Sequence, residues 1–373
     1  MNRRPSKTSR SYDDLAPLHA ARFKAASPDM RFFESRKTRS PLRAFCLYGA
    51  ILLFLLLAVN FAANQFVFLR RVQVPITRLS ESFDGYTILH LSDLKGASFG
   101  KNQNRLLMAL GNKPYDAVLL TGDMVSPMGN AEPLYALITA LKTQAPGVPI
   151  YFIAGDNDPT PVSKDYSAGG SPLAPWVLGA QQRGAVLLNA PQRITREDQT
   201  LWLSTVAQLN LDLLTTQQQY TQAYMHAKST GDADETELAE YNLGWLQSTA
   251  DARASMHPED VFVTLTHVPP TQNELLDMAA GLTREIDLML CGHYLGGLLR
   301  LPLLGPLFIP SQTLARYGLL PGNSAHNGLQ RIGRTWVYTN PGLGHDDPLY
   351  PSAFFRLFNP PSATLLTLTP SSL

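Results

Sequence analysis

Apolar residues along this chain follow three successive patterns. Residues 44–69 read AFCLYGAILLFLLLAVNFAANQFVFL, one nearly unbroken apolar run. From residue 86 the runs shorten, and each ends in polar or glycine residues: 86–92, 117–121, 149–154, 185–188, 201–206, 261–266 and 286–291. That is how strands buried on both faces read, with functional groups at their carboxyl ends. Helices are predicted at 102–111 and 131–143, between the first strands. Residues 208–256 differ, being rich in Gln, Thr, Ala and Glu. There Leu211, Leu214, Tyr220 and Tyr224, then Leu238, Tyr241, Leu243 and Leu246, recur at helical spacing. Two helices hinged near 229–233 are predicted, their stripes facing the core. An outward apolar face resting on a membrane is the other reading of those stripes. The stretch from 298 is Pro/Gly-rich and strand-like, and no internal repeat is present.

The run at 44–69 exceeds the roughly 20 apolar residues that span a bilayer, which predicts a transmembrane helix. A buried helix of a soluble protein would not need both faces apolar. A cleaved signal peptide would need a leader of 43 residues before its apolar core, and no clean small-residue cleavage site follows. Arg3-Arg4 is a weak twin-arginine signal, separated from the run by a long polar stretch.

Charge sets the orientation. The net charge of +1 conceals an asymmetry: residues 1–43 carry eleven Lys/Arg against four Asp/Glu, and 70–373 carry twenty against twenty-six. The basic segment stays in the cytoplasm by the positive-inside rule. The reading is therefore a single-pass protein of the cell membrane with an extracytoplasmic C-terminal domain. Residues 1–43, rich in Ser, Arg and Pro, read as a disordered tail. Residues 70–373 read as one large domain with a helical insertion at about 208–256. Its acidic balance argues against a nucleic-acid partner. Two cysteines, Cys46 and Cys291, exclude a disulfide scaffold and any Cys-rich zinc module. One lies in the membrane run and the other in a strand pattern, so they should not pair.

The strand ends carry the chemistry. Asp93, Asp123, Asp156, His267 and His293 each follow an apolar run. One such residue reads as a capping carboxylate or a satisfied core histidine. Five of two types in this order read as the oxygen and nitrogen donors of a hard or borderline divalent metal. His90 is read as packed in the core, His345 as a solvated loop histidine and Asp158 as structural support. Asn102 and Arg300 are weak candidates for a phosphate contact. His226, His257 and His326 show no partner pattern.

Read together, Asp93-Leu94-Lys95, Gly122-Asp123, Gly155-Asp156-Asn157-Asp158, His267-Val268-Pro269 and Gly292-His293-Tyr294-Leu295-Gly296-Gly297-Leu298 resemble the calcineurin-like metallophosphoesterase superfamily. That family reads D-x-H, G-D, G-N-H-D/E, H-x-P and G-H-x-H-G-G-Q. The stretches RLPLLGPLFIPSQ (300–312), NPGLG (340–344) and RLFNPP (356–361) are similar to its membrane-anchored bacterial branch. The resemblance covers roughly 80–370. It implies an α/β fold: a two-sheet metallophosphoesterase sandwich flanked by helices, here preceded by one N-terminal transmembrane helix.

The departures decide the functional expectation. In the family two metals sit about 3–4 Å apart. Two histidines of the first metal correspond here to Lys95 and Leu295, leaving Asp93 and Asp123. The second set corresponds to Asp123, Asp156, His267 and His293, with aspartate in place of asparagine. The family's catalytic histidine corresponds to Asn157, which cannot protonate a leaving group. One divalent ion and the Lys95 ammonium would cancel three carboxylates, whereas two metals leave a positive centre. Each lost unit of charge weakens attraction to a phosphate by on the order of 4 kcal/mol at about 4 Å and an effective dielectric near 20. Losing the general acid typically costs a further ~10²–10⁴ in rate. The expectation is one metal (manganese, iron or zinc), weak or lost phosphoesterase activity, and Lys95 as an electrostatic aid toward a phosphate-bearing small molecule or lipid. The alternative is an active mononuclear enzyme cleaving an envelope phosphate ester or phosphodiester.

Overall fold

The computed structural model describes residues 41–126, 128–197, 199–281, 285–297, 299–301, 305–309, 327–345 and 356–371. Most of the expected tail at 1–43, Leu298, His326 and parts of 300–312 lie outside them. The chain divides into two units, Met1–Leu57 and Ala58–Leu373. Helix α1 (Pro41–Ala63) is apolar along its length and exposes Phe45, Phe54 and Phe61. Its Leu42–Ala63 stretch, 22 residues, is long and apolar enough to cross a membrane. At 1.5 Å per residue it rises about 33 Å, against a hydrocarbon core of about 30 Å.

The helix stops short of residue 69. Phe68 and Leu69 instead open β1 (Phe68–Ile76), whose residues pair in parallel with the chain's last strand. Asn60 and Asn64 accompany this change, since both side-chain amides donate to the Arg356 carbonyl at 2.8 and 2.7 Å.

Next come β2 (Thr87–Leu91), α2 (Asn104–Leu110), β3 (Ala117–Thr121), α3 (Glu132–Gln144), β4 (Ile150–Ile153), α4 (Pro175–Gln182), β5 (Ala185–Leu187), β6 (Gln192–Arg196) and β7 (Gln199–Thr205). They are followed by α5 (Val206–Asn210), α6 (Leu213–Thr230), α7 (Ala233–Ala254), β8 (Val261–Leu265), α8 (Gln272–Gly281), β9 (Leu288–Cys291), β10 (Leu299–Leu301), β11 (Gly305–Phe308), β12 (Gly328–Ile332), β13 (Thr335–Thr339) and β14 (Ser362–Pro370). Two six-stranded sheets result, in the orders β1-β14-β2-β3-β4-β5 and β12-β13-β9-β8-β7-β6. β10 and β11 pair apart from both. The edge strand β6, QRITR, carries no apolar run and is not foreseen from the pattern.

The short apolar runs sort their residues between layers. Ile88, Leu119, Val263, Leu290 and Leu366 meet in one buried cluster that joins the two sheets. Their neighbours Leu89, Leu91, Val118 and Leu120 pack outward with Leu106, Leu137 and Val177 of α2, α3 and α4. On the other sheet Trp202, Phe262 and Met289 pack outward with Leu209 and Leu275 of α5 and α8. Both faces of the central strands are therefore buried, which is why they alternate so little in hydropathy.

Aspartates at the caps delimit the helical hairpin. Asp212 accepts Leu214 and Thr215 N–H at the start of α6, and Asp232 accepts Glu235 N–H at the start of α7. Gly231, at φ 73°, turns the chain between them in the left-handed region. Their stripes are only partly core-facing: Leu246 is buried, whereas Leu214 is 67% exposed. The hairpin meets the domain along one side through Tyr220, Tyr241 and Trp245, so the far residues stay in solvent.

One buried cation fixes the loops over the strand ends. Arg356 donates to the carbonyls of Asn359 (2.7 Å), Gly344 (2.5 Å), Leu295 (3.3 Å) and Pro341. Asn359 also donates to Leu295 O and Gly297 O at 2.6 and 2.8 Å. Removing the guanidinium strips donors from several buried carbonyls, each costing about 1–3 kcal/mol. Arg356→Ala should lower the unfolding free energy by about 3 kcal/mol or more in a denaturant titration. Arg356→Lys should recover only part of that, since an ammonium lacks the planar fork.

Candidate metal and phosphate site

Carboxylates come from one sheet and imidazoles from the other. Asp93, Asp123 and Asp156 follow β2, β3 and β4, which are neighbours in the first sheet. His267 and His293 follow β8 and β9, neighbours in the second. The sheets pack with these ends together, the usual place for ligands in α/β folds.

The backbone is strained at these ends. Asp93 (φ 54°), Lys95 (φ 49°), Asp123 (φ 54°), His293 (φ 70°) and Leu295 (φ 52°) all occupy the left-handed region. Non-glycine residues rarely adopt it, and it costs on the order of 1–3 kcal/mol each. Backbone bonds hold the turns: Asp93 N–H to Gly122 O (3.0 Å), Lys95 N–H to Asp123 O (2.8 Å) and Gly292 N–H to His267 O (2.9 Å). Gly122 is required twice over. Its φ is 88°, and a Cβ there would lie 2.6 Å from Gly155 N and 2.9 Å from His267 Nδ1.

The side chains interlock. His267 Nδ1 lies 2.7 Å from Thr121 O, which can only accept, so Nδ1 carries a proton. Nε2 then faces Asp156 Oδ1 at 2.9 Å and Asp123 Oδ2 at 3.2 Å. His293 Nδ1 approaches the same Asp156 oxygen at 3.3 Å. Asp93 Oδ2 accepts from Ser92 Oγ (2.6 Å) and His293 N–H (3.1 Å), while its buried Oδ1 has no hydrogen-bond donor among the described residues. Asp93 and Asp123 are fully buried, and Asp156 lies at the mouth.

Three residues stand where the resemblance expects histidines. The buried Lys95 Nζ lies 3.3 Å from Asp123 Oδ2, and its backbone N–H holds the carbonyl of the same residue. Asn157 gives Asp123 two further bonds, from its backbone N–H at 2.9 Å and its Nδ2 at 2.8 Å. Nδ2 also reaches Asp156 Oδ1 at 3.4 Å. Leu295 is buried, with its side chain toward Gly342. Asp158 is a brace, accepting Val125 N–H at 2.7 Å and Gly155 N–H at 2.8 Å.

Burial and charge pull the titrations apart. Burial would raise Asp123 and Asp156, but His267, with Lys95 and Asn157 at the first and His293 at the second, holds both well below the carboxylate range. Burial prevails at Asp93 and raises it. Burial would lower His267, yet Asp123, Asp156 and Asp93 raise it well above its ordinary value.

This donor set fits a divalent ion. One ligand atom each from Asp156, His267 and His293 lie within 4.8 Å of one another, and so do those of Asp93, Asp123 and His267. Without a proton on Nε2, its lone pair meets two carboxylate oxygens and nothing donates; an ion or a proton resolves that. His267 belongs to both groups, and one nitrogen lone pair serves one ion.

Thr121 and Ser92 escape a reading of the sequence. Backbone carbonyls such as Thr121 O leave no trace in residue type, whereas Ser92 beside Asp93 is the kind of neighbour that adjacency alone could suggest. His90 lies in the core as expected: its Nε2 meets Thr121 Oγ1 at 2.8 Å, and burial lowers its pKa to about 3. Asn102 and His345 are exposed, and Arg300 is engaged with Gly296 O at 2.6 Å.

Residues 86–296 match the family model described as calcineurin-like phosphoesterase, a stretch containing every candidate metal ligand, Lys95 and Asn157. No curated protein sequence matches the chain. Among solved structures, the chain is similar to the phosphopantetheinyl hydrolase of Mycobacterium tuberculosis, at 11% identity over 69% of this chain and 91% of that one, with a TM-score of 0.33. It is also similar to the protein TT1561 of Thermus thermophilus, at 12% identity over 70% of this chain and 92% of that one, with a TM-score of 0.36.

Lys95→Met tests the electrostatics directly. Breaking a buried pair and leaving its charge behind typically costs about 3–5 kcal/mol. The metal-free variant should lose about 3 kcal/mol of stability by denaturant titration. Its manganese affinity should rise at least tenfold by calorimetry, because a repelling charge is gone. Unchanged affinity would mean that the ammonium does not face the ion.

Proposed function

The chain belongs to the calcineurin-like phosphoesterase family, and we propose that it is a membrane-tethered member keeping one divalent metal and little or no phosphoesterase activity. Asp123, Asp156, His267 and His293 hold the ion, manganese, iron or zinc, with Asp93 beside them. The observation that carries this reading is the Lys95 ammonium 3.3 Å from Asp123 Oδ2. A buried cation against that carboxylate substitutes for part of a second ion's charge. It also repels any ion that approaches Asp93 and Asp123.

When bound, a divalent ion would supply Lewis-acid attraction for a phosphoryl oxygen. The chain's own residues bind and orient. Lys95 adds a fixed positive charge toward a phosphate. Asn157 pins Asp123 through two N–H donors, and its amide is too weak an acid to protonate a leaving group. Thr121 O keeps the His267 Nε2 lone pair turned into the site. The protein is thereby suited to hold a phosphate-bearing small molecule or lipid more than to cleave it.

The domain organisation proposed with this role is a cytoplasmic basic tail, one membrane helix and an extracytoplasmic domain. The charge asymmetry across the apolar run supports it. The second reading is an active mononuclear phosphoesterase. It draws on the convergence of Asp156, His267 and His293 within 4.8 Å.

Hydrolysis separates the two. With manganese and full-length protein in nanodiscs, turnover of diphenyl phosphate, whose basic phenolate leaving group needs a proton, should lie within about tenfold of the His293→Ala background. The triple variant Lys95→His/Asn157→His/Leu295→His restores the missing donors and the acid. It should raise the rate by ~10²–10⁴, the usual worth of general acid catalysis. Wild-type turnover roughly a thousandfold above His293→Ala would reject the low-activity reading in favour of the active enzyme.

A further inference from the structure

A cavity opens beside the candidate site, at the carboxyl ends of β4, β5 and β7. It is an open-sided cavity of about 320 Å³, at the small end of ligand cavities, which run from about 300 to 1,000 Å³. Its floor is apolar: Ile153, Leu187 and Leu188, all buried. Its wall is aromatic: Tyr220, Tyr241 and Trp245 of the α6–α7 hairpin. The floor thus comes from the sheet and the wall from the insertion, so the cavity exists only because the hairpin folds back onto the strand ends.

The wall is held in place. The Trp245 and Tyr220 rings pack tilted, with centroids 6.1 Å apart. Trp245 Nε1 donates to Asn189 O, and Asn189 Nδ2 donates to the Tyr241 hydroxyl at 3.1 Å. Asn189 therefore fixes two of the three rings from one residue. The Tyr241 hydroxyl accepts there and still carries a proton to donate. Rigid aromatic surface beside one oriented polar group is how small-molecule sites are built.

Chain connectivity ties this cavity to the phosphate site. Ala154 lines it, and Asp156 lies two residues on. At 3.8 Å per step their Cα atoms are within about 7.6 Å of each other. A phosphate bound at Asp156, His267 and His293 would lie two residues along the chain from the cavity's Ala154 edge.

We infer that this cavity is the subsite for the organic group of a phosphate ester, and that it prefers an aromatic ring. The inference rests on the phosphate reading of the neighbouring centre. It gives the helical insertion a task, recognition of the ligand's apolar part, while the strand ends recognise its charge. Burying one ring should raise affinity roughly 10–100-fold.

The test compares inorganic phosphate, phenyl phosphate and phenol on manganese-loaded full-length protein in nanodiscs, with empty nanodiscs subtracted. Phenyl phosphate should bind at least about tenfold tighter than inorganic phosphate. Trp245→Ala should reduce that ratio to under about threefold and leave the inorganic phosphate affinity unchanged. Asn242→Phe, which adds bulk at a half-buried lining position, should do the same and keeps the test decisive if Trp245→Ala fails to fold. Equal affinity for phenyl phosphate and inorganic phosphate would overturn the subsite while leaving the phosphate reading intact. Phenol binding that Asn242→Phe abolishes, with neither phosphate bound, would overturn the link to a phosphate and leave an aromatic-ring cavity. No binding of any probe would overturn both.

Discussion

Three carboxylates gathered at the ends of three parallel strands are the constraint that everything else in this protein answers. Two of them, Asp93 and Asp123, are fully buried, where an unpaired charge is expensive. Neutralisation comes from several directions at once. Lys95 and Asn157 approach Asp123, and His267 approaches both Asp123 and Asp156. With two metal ions the carboxylates would need no lysine. With Lys95 in place, one divalent ion is enough to balance the cluster.

The fold imposes that geometry at a local cost. Five residues around the centre adopt left-handed backbone, including Asp93, Asp123 and His293. Such strain persists only where the surroundings over-determine it. Here they do so through sheets packed face to face, through Gly122 against Gly155 and His267, and through Arg356 gripping the loops at Leu295, Pro341 and Gly344. The rigidity belongs to the scaffold. The α6–α7 hairpin meets the domain along one side and contributes Tyr220, Tyr241 and Trp245 to a cavity that Ala154 also lines.

Much of this is legible in the sequence because burial on both faces writes short apolar runs. Residues 117–121 read as a strand and β3 spans Ala117–Thr121; 131–143 and α3 agree to a residue at each end. The metal-site candidates stand out because the runs stop at them. What stays hidden lacks an apolar signature. The edge strand β6 has Ile194 as its single apolar residue, and β1 begins inside the apolar run because pairing with β14, distant in sequence, claims Phe68 and Leu69. The stripes on α6 and α7 read as core faces, but periodicity does not say how much of a face finds a partner, and Leu214 finds none of the core. Thr121 acts on His267 through a carbonyl, which every residue has.

The central claim is that Lys95 has replaced one metal ion and left one. It is tested most directly by counting ions. Full-length protein in nanodiscs, loaded with manganese, iron or zinc and dialysed, should retain one ion per chain by elemental analysis, and His293→Ala should lose it. Two ions per wild-type chain would contradict the account and restore an ordinary two-metal centre. None would contradict it as well, leaving the Lys95 ammonium and the His267 proton as the cations that balance the carboxylates.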